Sequence, residues 1–165
     1  MHIDQKQFRQ TLSQFVSGIT IVTTQFHGQC HGTTVSSFCS LSLDPPLILV
    51  CLNHQSASNA LIQASSTFGV NILAEGEAWM AKQFAHREAS KFANVAYHNG
   101  TLGTPLLDDA LATLECRLIA HYPGGDHTIF LGEVIALQRN PEKRPLVYFD
   151  SQYARIMDLV PLANH

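Results

Sequence analysis

Two tight turns between strand-like runs constrain the fold of this chain more than any other feature. A turn at residues 27–29 follows the run ITIVTTQF, which is rich in β-branched residues. A second turn, PGGD at residues 123–126, joins the runs LATLECRLIAHY and HTIFLGEVIALQR. Connections this short permit only antiparallel pairing, because parallel strands need a long crossover. An antiparallel sheet is therefore expected.

Six or seven strand-like runs and three helical segments follow one another along the 165 residues. The first helix is predicted over DQKQFRQTLSQFVSG, capped by Asp4 and stopped by Gly18. The run LILVCLN reads as a strand buried on both faces. No strand-like run is followed by G-x-G-x-x-G, which argues against a dinucleotide-binding Rossmann fold. We predict a mainly β fold with flanking helices, in which residues 1–165 form one domain built on an antiparallel barrel.

Charge and composition exclude several classes of partner. The net charge is −3 and the basic residues are scattered, so neither nucleic acid nor an anionic membrane is expected to bind. No segment has the length and apolar character of a membrane span or a secretory leader, which predicts a cytoplasmic protein. Only 14% of the residues are charged, which suggests that a second subunit covers part of the surface.

Cysteine usage gives no sign of a metal or a disulfide. The four cysteines form no C-x-x-C pair, and each lies among small or apolar residues. We therefore expect buried free thiols and no metal site.

Small hydroxyl residues crowd the segment HGTTVSSFCSLSLDPP, residues 31–46. Taken as one strand over residues 30–42, the segment would carry short donors on both faces. Gly32 would let a ligand approach the backbone closely. Such donors suit a phosphate, a ribityl chain or a carbonyl-bearing ring. An exposed strand rich in Ser and Thr would have the same composition, although the direct entry into a buried strand argues against full exposure.

Three further segments are candidates for a binding site. In NHQSASNAL, Asn53, Ser56 and Asn59 precede a helix whose N-terminus could bind an anion, although simple capping would also explain the serines. In GGDHTIF, His127 could orient a substrate or move a proton. Tyr153 could stack on a flat ligand or merely pack in a groove. Since no nucleophilic triad or phosphate loop is present, any redox chemistry would come from a bound cofactor.

Taken together, these segments resemble the small flavin reductase family, the reductase partners of two-component flavin-dependent monooxygenases. The matching segments run in the family's order over nearly the whole chain, among them HGTTVSSFCSLSLDPPLILVCL, AKQFAHR, GTPLLDDALATLECRL and GGDHTIFLGEV. The resemblance implies an FMN-binding split barrel that dimerises. It also implies reduction of FMN or FAD by NADH or NADPH, with the reduced flavin leaving for a partner monooxygenase.

The resemblance also implies roles for individual residues. His127, with Tyr153, would face the nicotinamide. The remaining flavin-binding residues would line the ring and ribityl chain (Thr34, Ser36, Ser37, Phe38), serve the ribityl and phosphate end (Asn53, Ser56, Asn59, Ala60), and close over the phosphate or adenylate (Phe84, Ala85, Arg87). The chain departs from the family in NHQSASN, which lacks the Arg or Lys that many relatives place near the phosphate; His54 or Arg87 would have to substitute.

Two other functions fit the same residues. A flavoprotein of this barrel could hold FMN as a fixed electron carrier or sensor without turning over free flavin. A binding module without flavin would leave the hydroxyl residues with a purely structural role. The residues alone do not choose between FMN and FAD or between NADH and NADPH.

Overall fold

The computed structural model describes residues 3–86 and 91–157. The helices are α1 (Gln5–Leu12), α2 (Ala57–Ser65) and α3 (Ala78–Ala85), and a 3₁₀ turn at Glu75–Glu77 leads into α3. The strands are β1 (Ser17–Gly18), β2 (Thr20–Phe26), β3 (Gln29–Val35), β4 (Phe38–Leu43), β5 (Pro46–Asn53), β6 (Thr67–Ile72), β7 (Tyr97–Asn99), β8 (Pro105–Leu107), β9 (Ala112–Gly124), β10 (His127–Arg139), β11 (Val147–Phe149) and β12 (Gln152–Ala154).

Seven of these strands form one antiparallel sheet in the order β3-β2-β6-β9-β10-β5-β4. Both predicted hairpins are present, because β2 pairs with β3 and β9 pairs with β10. The glycines of the two turns, Gly28 and Gly125, have positive φ angles, which glycine adopts without strain. Two small sheets, β1-β11-β12 and β7-β8, complete the described strands. The prediction of a mainly β, antiparallel fold is confirmed.

The two edges of the large sheet are consecutive in the chain. Strands β3 and β4 lie at opposite edges, yet only Ser36 and Ser37 separate them. Three Cα–Cα steps span at most about 11 Å, so the sheet must curl until its edges are neighbours. No ladder joins β3 to β4. The result is a barrel that is split along this seam.

The buried apolar residues form two clusters on opposite faces of β2. Ile21 belongs to a cluster that includes Phe84 of α3, whereas Val22 belongs to one that includes Ile62 of α2. Successive strand residues point to opposite faces, so a strand buried on both faces separates the two clusters. Burying β2 in this way fixes α2 and α3 against the sheet.

The first helix is shorter than predicted. Asp4 caps it, accepting a hydrogen bond from the Gln7 backbone N–H at 2.9 Å, but it ends at Leu12 and not near Gly18. The chain beyond it is held by Asp150, whose backbone N–H donates to the Ser13 carbonyl at 2.8 Å. A tertiary contact therefore ends a helix that the periodicity would have continued.

Three other expectations, one about strand boundaries and two about burial, need correction. The hydroxyl-rich segment is two strands with a break at Ser36–Ser37 and not one strand. Strand β5 is buried only on the face of Ile48, Val50 and Leu52, and the residues of its other face are half-buried. Of the four free cysteines only Cys116 is buried, where burial and the adjacent Glu115 raise its pKa to about 12.

Gly132 shows how closely the barrel interior is packed. A Cβ atom at this position would lie 2.5 Å from the Phe68 ring and 3.0 Å from the Cys116 Cβ. Phe68 is fully buried, so its ring is surrounded by other atoms of the core. We expect Gly132→Ala to lower the free energy of unfolding by about 1–3 kcal/mol, measured as a lower urea midpoint.

Gly76 supplies the matched control. A Cβ at Gly76 would meet no atom within 4 Å, so Gly76→Ala should leave the midpoint nearly unchanged. Equal midpoints for the two alanine variants would contradict the close packing of β10 against Phe68.

Candidate functional site

Two clefts open on the surface at the edges of the split sheet. The first, of about 860 Å³, lies between α1 and the Ser36–Ser37 turn. The second, of about 920 Å³, lies between β3 and the beginning of α2. Both volumes fall within the range of small-molecule sites, which is roughly 300–1,000 Å³. The seam of the barrel thus separates two candidate binding clefts.

The turn at the seam is pinned to β5. The Cys51 backbone N–H donates to the Ser37 carbonyl at 3.1 Å, and the Ser37 hydroxyl donates to the Cys51 carbonyl at 2.9 Å. These bonds hold Ser36, Ser37 and Phe38 in the wall of the first cleft. Short donors beside an aromatic ring suit a flat ligand with polar edges. Three of the residues that sequence analysis assigned to the flavin are therefore together.

Apolar side chains of α1 line the opposite wall of the first cleft. Phe8 is 53% and Leu12 56% exposed, and no side chain of α1 is buried by the described part of the chain. Sequence analysis predicted this helix but assigned it no role in a binding site.

The second cleft contains the end of β5 and the start of α2. Asn53, Ser56 and Ala85 line it, as sequence analysis expected of residues near one ligand. The Asn53 side chain accepts a hydrogen bond from the Gln55 backbone N–H at 2.8 Å and so shapes the connection. Ser56 is the N-cap residue of α2, but its hydroxyl makes no capping hydrogen bond. The N-terminus of α2 therefore faces this cleft, and the backbone N–H groups of a first helical turn are suited to bind an anion.

Three predicted residues use their side chains within the fold. The Thr34 hydroxyl donates to the Ala81 carbonyl of α3 at 2.7 Å. Asn59 is buried, and its amide donates to the Leu52 carbonyl and to the Thr128 hydroxyl, each at 3.0 Å. Phe84 is fully buried. None of the three lines either cleft, and their contact with a flavin stays a prediction.

Gly32 of β3 likewise serves the packing of the fold. A Cβ at Gly32 would lie 2.6 Å from the Phe84 ring, so the glycine is required by the packing of α3. The expectation that Gly32 serves the close approach of a ligand thus has a competing structural explanation.

Sequence analysis assigned two further residues to the flavin, Ala60 and Arg87. Ala60 is exposed on α2 and lines neither cleft. Arg87 lies outside the described residues.

His127 begins β10, directly opposite Asn53 of β5. Its Nδ1 atom lies 2.7 Å from the Asp126 carboxylate, and this hydrogen bond lowers the pKa of Asp126. Because an ionised carboxylate can only accept, Nδ1 carries a proton, and in the neutral imidazole Nε2 is then the acceptor. The His127 side chain is 41% exposed, so the ring is partly accessible at this end of the sheet.

Tyr153 packs against Tyr148, with their ring centroids 5.7 Å apart. Tyr148 lines the first cleft, whereas Tyr153 lies behind it against the core. Burial raises the pKa of Tyr153, and the neighbouring Tyr148 adds to the shift. Tyr153 therefore supports the cleft wall, and direct contact with a nicotinamide stays a prediction.

Sequence reasoning missed one charged residue of the second cleft, Lys91, together with the aromatic residues Phe92 and Tyr97. All three lie in the segment KFANVAY, which matches the flavin reductase family but to whose residues sequence analysis assigned no role. Phe92 packs edge-on against Phe84 and Tyr97, with ring centroids 5.1 Å from each. These aromatic contacts fix the wall from which Lys91 reaches into the cleft.

Within residues 3–86 and 91–157, no group of three or more His, Cys, Asp or Glu side chains could hold a metal ion. None of the helices in the same ranges is long and apolar enough to cross a membrane.

Comparison with known proteins places the chain among flavin reductases. Residues 12–157 match the family model of the flavin reductase like domain. The reductase subunit HsaB of a flavin-dependent monooxygenase from Rhodococcus jostii is 40% identical over 154 residues, which cover 93% of this chain and 79% of the relative.

Two solved structures share the fold. Nitrilotriacetate monooxygenase component B from Mycobacterium thermoresistibile superposes with a TM-score of 0.94 at 38% identity, covering 98% of this chain and 93% of the other. The NADH:FAD oxidoreductase SgcE6 of Streptomyces globisporus, solved with NAD and FAD fragments, gives 0.88 at 36% identity over 94% and 96% of the two chains. Because the family model matches residues 12–157, which is most of the chain, the chain belongs to the flavin reductase like domain family.

Proposed function

We propose that this protein reduces FMN or FAD with NADH or NADPH and supplies the diffusible reduced flavin to a partner monooxygenase. The pair of clefts on either side of the Ser36–Ser37 turn, in a chain of this family, carries the proposal. The relatives are reductase components of monooxygenases, which favours turnover of free flavin over a fixed carrier or sensor. The family match likewise disfavours a binding module without flavin.

The residues present fit a flavin. Ser36, Ser37 and Phe38 would hold the polar edge and the face of the ring, and Asn53 and Ser56 would serve the ribityl and phosphate end. When bound, the flavin supplies the ring that accepts a hydride. The protein's part is to align the two cofactors, since transfer needs the reacting atoms within roughly 3–3.5 Å.

His127 is proposed to orient the nicotinamide. With its Nδ1 proton directed at Asp126, the free Nε2 atom can accept a hydrogen bond from the carboxamide of the nicotinamide. This role requires no proton transfer, because neutral donors can stabilise the negative charge that develops on the flavin ring.

The protein is also proposed to act as a homodimer formed by one half of the sheet. Large apolar side chains are exposed on β4, β9 and β10, three strands close together in the sheet order. They are Leu41, Leu43, Ile119, Tyr122, Ile135 and Leu137. Leu43 is 96% exposed, which is costly for an isolated chain. The proposed cytoplasmic location stays a prediction.

The activity is tested by following NADH absorbance with and without added flavin. We expect oxidation of NADH that saturates with added FMN or FAD, and repeating the assay with NADPH identifies the preferred donor. Tight FMN binding without any flavin-dependent rate would contradict the proposal and favour a fixed carrier.

The role of His127 is tested by His127→Ala. Loss of one hydrogen bond to the nicotinamide should raise the KM for NADH by about tenfold, with a smaller change in kcat. His98→Ala is the matched control, because His98 also bonds an aspartate, Asp108, at 2.6 Å, but lies on β7. An unchanged KM and turnover in His127→Ala would rule out the role.

The proposed dimer is tested by replacing Leu43 and Leu137 together with Glu. We expect the wild type to sediment as a dimer and the double variant as a monomer, because charge on a buried interface is strongly unfavourable. Met157→Glu is the control, as Met157 is also exposed but lies off these strands. A wild type that sediments as a monomer would contradict the proposal.

A further inference from the structure

Lys91 lies in the second cleft, and none of the described carboxylates forms an ion pair with it. Lys91 Nζ donates to the Gly32 carbonyl at 2.9 Å and to the Phe84 carbonyl at 3.0 Å. An ammonium group has three N–H donors, so among the described residues these two carbonyls leave one donor for a further acceptor. The two bonds fix the position of the charge between β3 and the end of α3.

The charge of Lys91 is uncompensated within the part of the chain that the structure describes. No described carboxylate forms an ion pair with it, and the described lining of the second cleft contains no Asp or Glu. Burial lowers the pKa of Lys91, and the lysine's charge adds to the burial that lowers the pKa of His31 in the same cleft. A partly desolvated cation is stabilised when an anion comes close to it.

The other side of the same cleft also favours an anion. The N-terminus of α2 faces it, and the Ser56 hydroxyl is not used for capping. Unpaired backbone N–H groups and the positive end of the helix dipole attract negative charge. Lys91 and the N-terminus of α2 therefore both present hydrogen-bond donors and positive charge to the second cleft.

We propose that Lys91 binds a phosphate group of the nucleotide cofactor held in the second cleft. The inference rests on the proposed function and assigns the cationic residue that the segment NHQSASN lacks. The phosphate can belong to the flavin or to the nicotinamide dinucleotide, and the experiment distinguishes the two.

The test compares ligands that differ only in the phosphate. Dissociation constants of riboflavin and FMN are measured by flavin fluorescence for the wild type and for Lys91→Gln. We expect Lys91→Gln to weaken FMN binding by about tenfold while riboflavin binding changes little, because riboflavin has no phosphate. The KM for NADH is measured in parallel.

Two control variants separate charge from structure. Lys91→Arg keeps the charge and should preserve the preference for FMN over riboflavin. Lys82→Gln removes an exposed lysine of α3 and should change neither constant. Thermal unfolding of each variant shows whether loss of the bonds to Gly32 and Phe84 loosens the fold.

Each outcome decides the proposal. Selective loss of FMN binding supports it with the flavin as the source of the phosphate. An unchanged FMN-to-riboflavin ratio with a raised KM for NADH supports it with the dinucleotide as the source. Equal weakening of riboflavin and FMN, or no change in any constant, overturns it. A wild type that binds no flavin and oxidises no NADH contradicts the proposed function itself.

Discussion

The turn at Ser36–Ser37, fixed to β5 by a pair of hydrogen bonds between Ser37 and Cys51, holds the two edges of the sheet close together. Strands β3 and β4 lie at opposite edges of the sheet, and the two-residue turn between them is the covalent link across the seam. Because Ser37 exchanges both bonds with Cys51, the turn is fixed to β5 although β3 and β4 share no ladder. The first cleft takes its wall from this turn, and the second begins along β3 just before it.

A second set of contacts fixes α3 against β3. Gly32 admits the Phe84 ring, the Thr34 hydroxyl bonds to the Ala81 carbonyl, and Lys91 bonds to carbonyls on both elements. One of these contacts is apolar and the others are hydrogen bonds, and they lie beneath the second cleft. The floor of that cleft is therefore set by packing and not by the ligand, as expected of a site that is organised before binding.

The sequence predicted the parts of the fold that follow from local chemistry. Two glycine turns were enough to establish antiparallel pairing, and the periodicity near Asp4 was enough to locate α1. It could not predict the break at Ser36–Ser37, because a run of small hydroxyl residues is compatible with either one strand or two. Nor could it separate Ser37, which lines a cleft, from Asn59, whose amide is consumed by buried hydrogen bonds. Sequence analysis assigned no role to Lys91, because its position in the cleft depends on contacts with residues distant in sequence, above all with Gly32.

The shortness of the turn at Ser36–Ser37 limits how the site can vary. Most surface loops accept insertions, since they merely connect elements whose positions are set elsewhere. Here an inserted residue would disturb the pairing of Ser37 with Cys51 and so separate the edges of the sheet. Variation in ligand preference at this point can therefore proceed by exchange of side chains but not by change of loop length.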